Sequence, residues 1–393
     1  MTDFSMEELR GKYDDLMDLI RRQEPTLADE TFTLPISEYT DAERWKREVE
    51  LLRRTPMLLG FSCDLPEPGH YWAMTRVGIP LILTRDKSGQ IRLLINACRH
   101  RGATVIKEGR GQQPRFSCAY HAWTFGLDGK LLAVPENKIF GEVDKEKYGL
   151  TELAVEERGG IIWGMLTPGV PLDLDESLGA ELNDLLIKHQ VERFHTVEVV
   201  EMPGANWKLA FEGNCESYHF PAVHSATLGT FTYPNIMTHK KYGRHALHTT
   251  PAFGIEECDP TSRMDLERYV QMSYMLFPST ILSFASDTAL GEASKTEVVS
   301  RIFMNQVLPG DTAETSMTIS RTLVNAPFVG TPIEEVTRKW ARGSHDAVLY
   351  EDYPIVDSSQ TTLLSGAQDH FIFGRNELMI HHMHRSLHAA MGE

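Results

Sequence analysis

The stretch INACRHRGATVIKEGRGQQPRFSCAYHAW, residues 95–123, contains two short motifs that combine a cysteine with a histidine. Cys98 and His100 form C-x-H, and after seventeen residues Cys118 and His121 form C-x-x-H. Each motif predicts a tight loop that can direct a thiolate and an imidazole at one metal centre. Two such loops facing each other supply four ligands, so this stretch predicts a metal site.

Two kinds of metal centre use this set of ligands. A structural zinc site can bind two cysteines and two histidines, but zinc fingers usually place both cysteines in one pair and both histidines in the other. Here each motif carries one residue of each type. The mixed order favours a [2Fe–2S] cluster of the Rieske type, in which two cysteines bind one iron and two histidines bind the other.

The strings CRHRGA and CAYHAWTFGLDGKL resemble the motifs of the Rieske domain in the Rieske non-heme iron oxygenases. The resemblance implies that the two cysteines hold one iron of the cluster and the two histidines hold the other. The chain has Ala119 and Ala122 where members of the family often have Pro and Gly. Glycine tolerates a positive φ and alanine adopts it only at a cost, which makes the backbone angle at Ala122 informative.

Residues 206–228, NWKLAFEGNCESYHFPAVHSATL, contain a second candidate site. His219 and His224 are five residues apart, so their side chains would diverge on a regular helix. Pro221 lies between them and gives a reason for the helix to be interrupted. Taken alone, the pair is best interpreted as two ordinary histidines. However, the string E-x-x-H-x-x-x-x-H resembles the mononuclear-iron motif of the same oxygenases.

A non-heme Fe(II) site of this kind needs a carboxylate beside the two histidines. The segment LYEDYPIVDSSQ resembles the late segment of the family, and the match falls on Asp352, with Asp357 as the later acid. Asp346 and Glu351 are the other candidates. Because Asp352 lies two residues before Pro354, the alternative is that its side chain caps a helix beginning there.

Glu216 lies three residues before His219 and shares its face if the segment is helical. The family usually has Asp here, and some relatives acting on quaternary ammonium compounds have the longer acid. The resemblance implies a catalytic role in which Glu216 links His121 of one chain to His219 of the next; the alternative is a solvated acid. Phe220 and Leu228 are candidate substrate-pocket residues and are equally compatible with an ordinary core.

Composition restricts the possible partners and location. The chain has 39 basic and 55 acidic residues, a net charge of −16, which argues against a nucleic-acid partner. No apolar run is long enough to cross a membrane, and the acidic N-terminus does not resemble a signal peptide. The five cysteines do not resemble a secreted disulfide framework. These features together predict a cytoplasmic protein.

The pattern of apolar residues and turn signals predicts an α+β protein with three regions. Residues 1–55 are predicted to form a helical segment that packs on the catalytic domain. Residues 56–170 are predicted to form an all-β Rieske domain, since apolar runs alternate with turn signals such as D-K-S-G. Residues 171–393 mix helices and strands, and the resemblance implies a helix-grip (START-like) catalytic domain with an antiparallel sheet.

The resemblance implies the α subunit of a terminal oxygenase, usually a homotrimer. A separate NAD(P)H-dependent reductase or ferredoxin would supply electrons through the [2Fe–2S] cluster to a mononuclear Fe(II). The Fe(II) would activate O2 to hydroxylate a small organic substrate, and an aromatic substrate is the first expectation. Oxidative N- or O-demethylation of a methylated or quaternary ammonium compound is an alternative.

Two other classes of protein remain open, a Rieske electron carrier without catalysis and a zinc-stabilised binding protein. Iron content separates these classes, at about three irons per chain for the oxygenase and about two for the carrier.

Overall fold

The computed structural model describes residues 2–230, 233–286 and 298–393. Contacts between Cα atoms divide the chain into two compact units, one made of Met1–Val49 and Leu178–Glu393 and the other of Glu50–Ser177. The predicted boundaries, after residues 55 and 170, lie several residues from this division.

The N-terminal region is helical, as its pattern predicts. It comprises α1 (Met6–Arg22), β1 (Phe32–Pro35), α2 (Ser37–Thr40) and α3 (Ala42–Arg53). Helix α1 begins after Ser5, whose hydroxyl accepts a hydrogen bond from the backbone of Glu8 while the Glu8 carboxylate binds the backbone of Ser5. Its apolar side chains recur at helical spacing and are buried, so α1 lays one face on its neighbours.

The unit Glu50–Ser177 consists mainly of antiparallel β-strands, which confirms the predicted all-β module. One sheet has the order β10-β5-β4-β3-β6, a second β11-β12-β2 and a third β7-β8-β9. The D-K-S-G signal forms the turn between β4 and β5, where the carboxylate of Asp86 accepts hydrogen bonds from the backbone of Ser88 and Gln90. The elements are β2 (Met57–Phe61), β3 (His70–Arg76), β4 (Ile79–Arg85), β5 (Ile91–Ile95), β6 (Gly109–Gln112), β7 (Phe116–Ser117), β8 (Thr124–Phe125), β9 (Leu131–Ala133), α4 (Asn137–Phe140), β10 (Glu152–Leu153), β11 (Val155–Arg158), β12 (Ile161–Gly164) and the first turn of α5 (Leu174–Lys188).

The larger unit is built on a seven-stranded antiparallel sheet with the order β13-β19-β18-β17-β16-β15-β14. This sheet and the helices packed around it confirm the predicted α+β class. The segment EVVSRIFMNQVLP begins at residue 297, outside the described residues, and its described part contains β18. The elements are β13 (Phe194–Gly204), α6 (Trp207–Glu212), α7 (Phe220–Val223), β14 (Thr238–Tyr242), β15 (His245–Pro251), α8 (Arg263–Tyr269), β16 (Val270–Leu276), β17 (Thr280–Ser286), β18 (Ser300–Pro309), β19 (Ser316–Asn325), α9 (Pro332–Ala347), α10 (Tyr353–Thr362), β20 (His370–Phe373) and α11 (Leu378–Met391).

Both chain ends pack within this larger unit. Strand β1 pairs with β20 in a two-stranded antiparallel sheet, and the ring of Phe4 packs edge-on against His189 at 5.0 Å. The side chain of Thr2 donates a hydrogen bond to Glu267, at 2.8 Å. Within the described ranges, no helix combines the length and apolar character that crossing a bilayer requires.

Candidate metal centres

The two cysteine–histidine loops are closed by the same pair of backbone hydrogen bonds. The amide of Cys98 donates to the carbonyl five residues later, and its carbonyl accepts from the amide four residues later, both at 2.8 Å. Cys118 repeats this pattern, with distances of 2.9 Å and 2.8 Å. The two motifs therefore form matching loops, although one places its histidine two residues after the cysteine and the other three.

The residue four positions after each cysteine has a left-handed backbone. Gly102 has φ +73° in the first loop and Ala122 has φ +56° in the second. The departure from the family pattern at Ala122 thus leaves the loop geometry intact, and alanine adopts an angle that favours glycine. This conformation costs an L-residue roughly 1–2 kcal/mol.

The cysteine and histidine side chains of the two loops differ in their exposure to solvent. Cys98 and Cys118 are buried, within a core cluster that includes Trp123. The ring of His100 stacks on Trp123 at 5.1 Å and lies edge-on to His121 at 4.7 Å. Burial, together with the neighbouring thiol of Cys118, raises the pKa of Cys98, whereas burial and the neighbouring imidazole lower the pKa of His100. A positively charged centre would stabilise both adjacent thiolates and neutral imidazoles.

These four residues fit a two-iron cluster better than a single zinc ion. In a tetrahedral zinc site the ligand atoms are about 3.3–3.8 Å apart, given metal–ligand bonds of about 2.0–2.3 Å. Among the described residues, one set of at least three metal-binding side chains has all its ligand atoms within 4.8 Å of one another. This set consists of His219, His224 and Asp352. The loop residues form no such set, as expected when the cysteines and histidines bind different iron atoms.

His219, His224 and Asp352 are brought together in the larger unit. The Oδ1 atom of Asp352 lies 3.0 Å from Nε2 of His224 and 3.5 Å from Nε2 of His219. Helix α7 is a single turn containing Pro221, and the histidines flank it, so the predicted interruption of the helix is present. Both rings can therefore point at one centre.

Carboxylates hold the other nitrogen of each ring. Nδ1 of His219 is hydrogen-bonded to Glu216, and Nδ1 of His224 lies 2.6 Å from Oε2 of Glu351. Because an ionised carboxylate only accepts hydrogen bonds, each Nδ1 carries a proton, and Nε2 of each ring is the nitrogen that faces Asp352. Two imidazole nitrogens and a carboxylate oxygen that meet at one point are the ligand set of a non-heme ferrous site, so these residues fit a ferrous ion.

Glu216 and Glu351 differ in their other contacts. Glu216 also accepts hydrogen bonds from the backbone amides of Tyr218 and His219, so it is not merely a solvated acid. The hydroxyl of Thr227 donates to Glu351 at 2.7 Å. Hydrogen bonds from His224 and Thr227 lower the pKa of Glu351. Glu351 was predicted only as a candidate ligand, and its role in orienting His224 was missed. Its position next to Asp352 was the available signal.

Asp352 does not cap the helix that follows it. Its backbone is helical, its side chain makes no capping hydrogen bond, and α10 continues from a π-helical turn, Val348–Asp352, that follows α9. Such turns are frequent at functional sites. Burial raises the pKa of Asp352, and the two neighbouring histidines oppose this rise. The other candidates, Asp346 and Asp357, are exposed and do not reach the histidines.

A cavity of about 340 Å³ opens onto the three metal-binding residues. Phe220 and Leu228, the two candidate pocket residues, both line it. The ring of Phe220 packs edge-on against His219 at 4.9 Å and against His224 at 5.3 Å. The sequence did not predict the lining side chains from β18 and α9, because no local pattern indicates which residues of a sheet and a distant helix share a cavity. They include Arg301, Phe303, Asn305, Trp340, Ser344 and His345.

Helix α6 positions the segment that carries Glu216 and His219. The side chain of Asn206 caps the helix by accepting a hydrogen bond from the amide of Lys208. At its other end, Glu212 accepts hydrogen bonds from the hydroxyl of Tyr39 at 2.6 Å and from Nε2 of His384 at 2.8 Å. The N-terminal segment and α11 therefore fix the position from which the iron-binding segment departs.

Comparison with known families gives two matches. Residues 191–393 match the family described as "Ring hydroxylating alpha subunit (catalytic domain)". Residues 55–144 match the "Rieske [2Fe-2S] domain". The first match covers the segment that holds His219, His224 and Asp352, and the second covers both cysteine–histidine loops. A Rieske cluster and a mononuclear iron are the cofactors that these families imply.

Individual relatives match about half of the chain. A glycine betaine monooxygenase oxygenase subunit from Pseudomonas aeruginosa is 30% identical over 204 residues, 51% of this chain and 47% of that protein. The large oxygenase component of a naphthalene 1,2-dioxygenase system from Pseudomonas aeruginosa is 33% identical over 201 residues, 48% of this chain and 43% of that protein. The matches thus span less than half the length of either relative.

Solved structures resemble nearly the whole chain. The quaternary ammonium Rieske monooxygenase CntA in complex with L-carnitine superposes with a TM-score of 0.73 at 20% identity, covering 94% of this chain and 96% of that chain. Naphthalene 1,2-dioxygenase from Rhodococcus sp. bound to indole gives a TM-score of 0.73 at 19% identity and covers 98% of both chains. At these identities, the likeness establishes the fold.

Proposed function

Since the chain belongs to the family of ring hydroxylating alpha subunits, we propose that it is the terminal component of a Rieske-type oxygenase. Its reaction would use O2 and reducing equivalents from a separate NAD(P)H-dependent reductase or ferredoxin to hydroxylate a small organic substrate. The observation that carries the proposal is the set His219, His224 and Asp352, which meets at the wall of a cavity of about 340 Å³. A pure electron carrier needs no such site.

The proposal assigns separate tasks to the two sites. Cys98, His100, Cys118 and His121 would hold the [2Fe–2S] cluster, and His219, His224 and Asp352 would hold the ferrous ion. When bound, these groups supply one-electron transfer and O2 activation, respectively. The protein itself contributes orientation, because carboxylates fix both iron-binding imidazoles, and it contributes a cavity in which a substrate lies beside the ligands.

The proposed assembly is a homotrimer in the cytoplasm. In it, Glu216 would link His219 of its own chain to His121 of the partner subunit. Two observations support this link: His121 is exposed, and Glu216 already holds His219. A reducing compartment suits the chain because none of its five cysteines, all of which lie in the described residues, forms a disulfide bond.

A second candidate reaction is oxidative demethylation of a small methylated or quaternary ammonium compound. It is favoured by the 30% identity to a glycine betaine monooxygenase oxygenase subunit and by the glutamate at residue 216, since some relatives acting on quaternary ammonium compounds have the longer acid. Both reactions use the same iron site, so the difference between them lies in the cavity wall.

The substitution His219→Ala tests the proposal. Removing one of three protein ligands should release the mononuclear iron, so iron should fall from about three to about two per chain while the cluster spectrum is kept. Product formation with a reductase and a panel of ring compounds should be lost. Iron analysis, absorption spectroscopy and product mass provide the measurements.

The matched control is His370→Ala, which removes an exposed histidine distant in sequence from both sites. It should keep three irons and full activity. Retention of product formation by His219→Ala would refute the mononuclear site, and a protein that binds two irons even before substitution would be a carrier.

A further inference from the structure

One polar side chain of the cavity has no hydrogen-bond partner among the described residues. His345 is only 5% exposed and lines the cavity. Within the part of the chain that the structure describes, neither of its ring nitrogens is hydrogen-bonded. Buried polar groups are nearly always hydrogen-bonded, so such a histidine needs an explanation.

His345 stands on the helical face that leads to the iron site. Trp340, Ser344, Val348 and Asp352 follow at intervals of four residues through α9 and the π-helical turn, and all of them line the cavity. His345 follows Ser344 directly and precedes Asp352 by two helical turns. A molecule lying along this face would therefore contact the iron ligands at one end and His345 farther along.

Other polar groups of the cavity wall are satisfied within the protein. The amide of Asn305 donates to the side-chain oxygen of Asn214 at 2.7 Å, and the hydroxyl of Ser320 donates to Asn305 at 2.6 Å. The hydroxyls of Ser273 and Ser283 bind each other at 2.8 Å. These side chains can remain as they are whatever occupies the cavity, whereas the described residues leave both ring nitrogens of His345 available to an occupant.

The remaining wall is rich in apolar side chains, among them Phe220, Ile281 and Phe303. Among the described lining residues, the acids are Glu216 and Asp352, and both are engaged with the iron histidines. The ring of Trp340 is already covered by the guanidinium of Arg301, at 3.8 Å, and by the edge of Phe303, at 4.6 Å. The indole of Trp340 therefore already has a cation from within the protein against its ring.

We infer that His345 hydrogen-bonds an oxygen substituent of the substrate, and that the substrate is a ring compound bearing a carbonyl or hydroxyl group. The inference rests on the proposed function, in which this cavity is the substrate site. Burial lowers the pKa of His345, so the ring is neutral near pH 7. A neutral imidazole donates from one nitrogen and accepts at the other, so it serves either a carbonyl or a hydroxyl oxygen. It is a positioning residue that fixes which ring carbon faces the iron site.

The test compares two ligands of the same shape, indane and 1-indanone, which differ by one carbonyl oxygen. Equilibrium dialysis of the fully metallated protein under argon, without reductase, measures binding apart from turnover. We expect the protein to bind 1-indanone about tenfold more tightly than indane, the ratio that one net hydrogen bond of ordinary strength supplies. In His345→Leu this ratio should fall to about one, while indane affinity is unchanged or higher. His345→Gln keeps a donor and an acceptor and should restore part of the preference.

His195→Leu is the matched control, because it makes the same change at an exposed histidine outside the cavity. It should keep the ratio of the unsubstituted protein. The inference is overturned if the unsubstituted protein shows no preference for 1-indanone, if it binds neither ring, or if His345→Leu keeps the preference. Because dialysis requires no turnover, a failed oxygenation assay would overturn the proposed function and leave this ratio to decide the inference.

Discussion

Two residues at equivalent places in the cluster loops adopt the same left-handed backbone. In both loops the amide of the fourth residue after the cysteine turns back to the cysteine carbonyl, and this turn places φ at +73° for Gly102 and +56° for Ala122. Only the first loop has a glycine at this position, the residue that suits a positive φ. The second loop is held in place by its neighbours, including the bond between the amide of Cys118 and the carbonyl of Trp123.

Ala122→Gly should therefore stabilise the protein. Relief of roughly 1–2 kcal/mol of backbone strain exceeds the added chain entropy of glycine, so the free energy of unfolding should rise by about 0.5–1 kcal/mol. Urea unfolding of the metallated protein, followed by the visible absorption of the cluster, measures the change. Ala119→Gly is the control, since φ is not positive there, and it should lower stability by about 0.5–1 kcal/mol. Equal effects of the two substitutions would show that the loop stores no strain at Ala122.

Helix α6 depends on a buried ionic contact with α3. Glu48 is fully buried, and its carboxylate accepts hydrogen bonds from Nζ of Lys208, from Nε1 of Trp207 at 2.9 Å and from Nε of Arg44 at 3.1 Å. Burial lowers the pKa of Lys208, and the charge of Glu48 opposes this change. Because α6 leads into the iron-binding segment, this contact connects the N-terminal helices to the geometry of the metal site.

Glu48→Ala should lower the free energy of unfolding by about 3–5 kcal/mol, because it leaves buried cations without their carboxylate. The urea midpoint measures the loss, and adding Lys208→Met should recover part of it by removing one of those cations. Glu50→Ala removes an exposed acid whose partner, Arg54, lies 3.9 Å away, and this change should cost less than about 1 kcal/mol. If both single substitutions cost the same, the buried contact does not support α6.

The two proposed metal centres lie in different compact units of the chain. The cysteine–histidine loops belong to Glu50–Ser177, whereas the iron-binding residues belong to the unit that includes Leu178–Glu393. An oxygenase must bring a cluster and an iron close enough for electron transfer. The proposed homotrimer would meet this need by placing Glu216 of one subunit beside His121 of the partner subunit.

Glu216→Gln should slow reoxidation of the reduced cluster at least about tenfold while iron content stays at about three per chain. The amide keeps an acceptor for His219 but removes the charge that would hold the partner's imidazole. Stopped-flow absorption measures the rate. Glu351→Gln makes the same change at the other iron histidine, and at saturating iron it should keep a rate near that of the unsubstituted protein. An unchanged rate in Glu216→Gln would refute the link, and equal slowing in both variants would mean that these acids only orient their histidines.

Local sequence was sufficient for the features that depend on neighbours in the chain. The spacing of Cys98 and His100, and of Cys118 and His121, predicted two loops, because a few residues between ligands restrict where both side chains can point. The resemblance to the Rieske non-heme iron oxygenases is confirmed by the two family matches. The pattern of apolar residues likewise predicted a helical segment in residues 1–55, where α1 and α3 lie, since amphipathic spacing is itself a local property.

The tertiary structure decided what depends on residues far apart in the chain. It gave Asp352 a place beside both histidines and gave Glu351, its neighbour, the role of orienting His224, which lies 127 residues earlier. It also brought side chains of β18 and α9 into the cavity wall and left His345 there without a hydrogen-bond partner among the described residues. The physical reason is that adjacent residues have nearly the same local sequence environment, while their side chains point in directions that only the packed fold distinguishes.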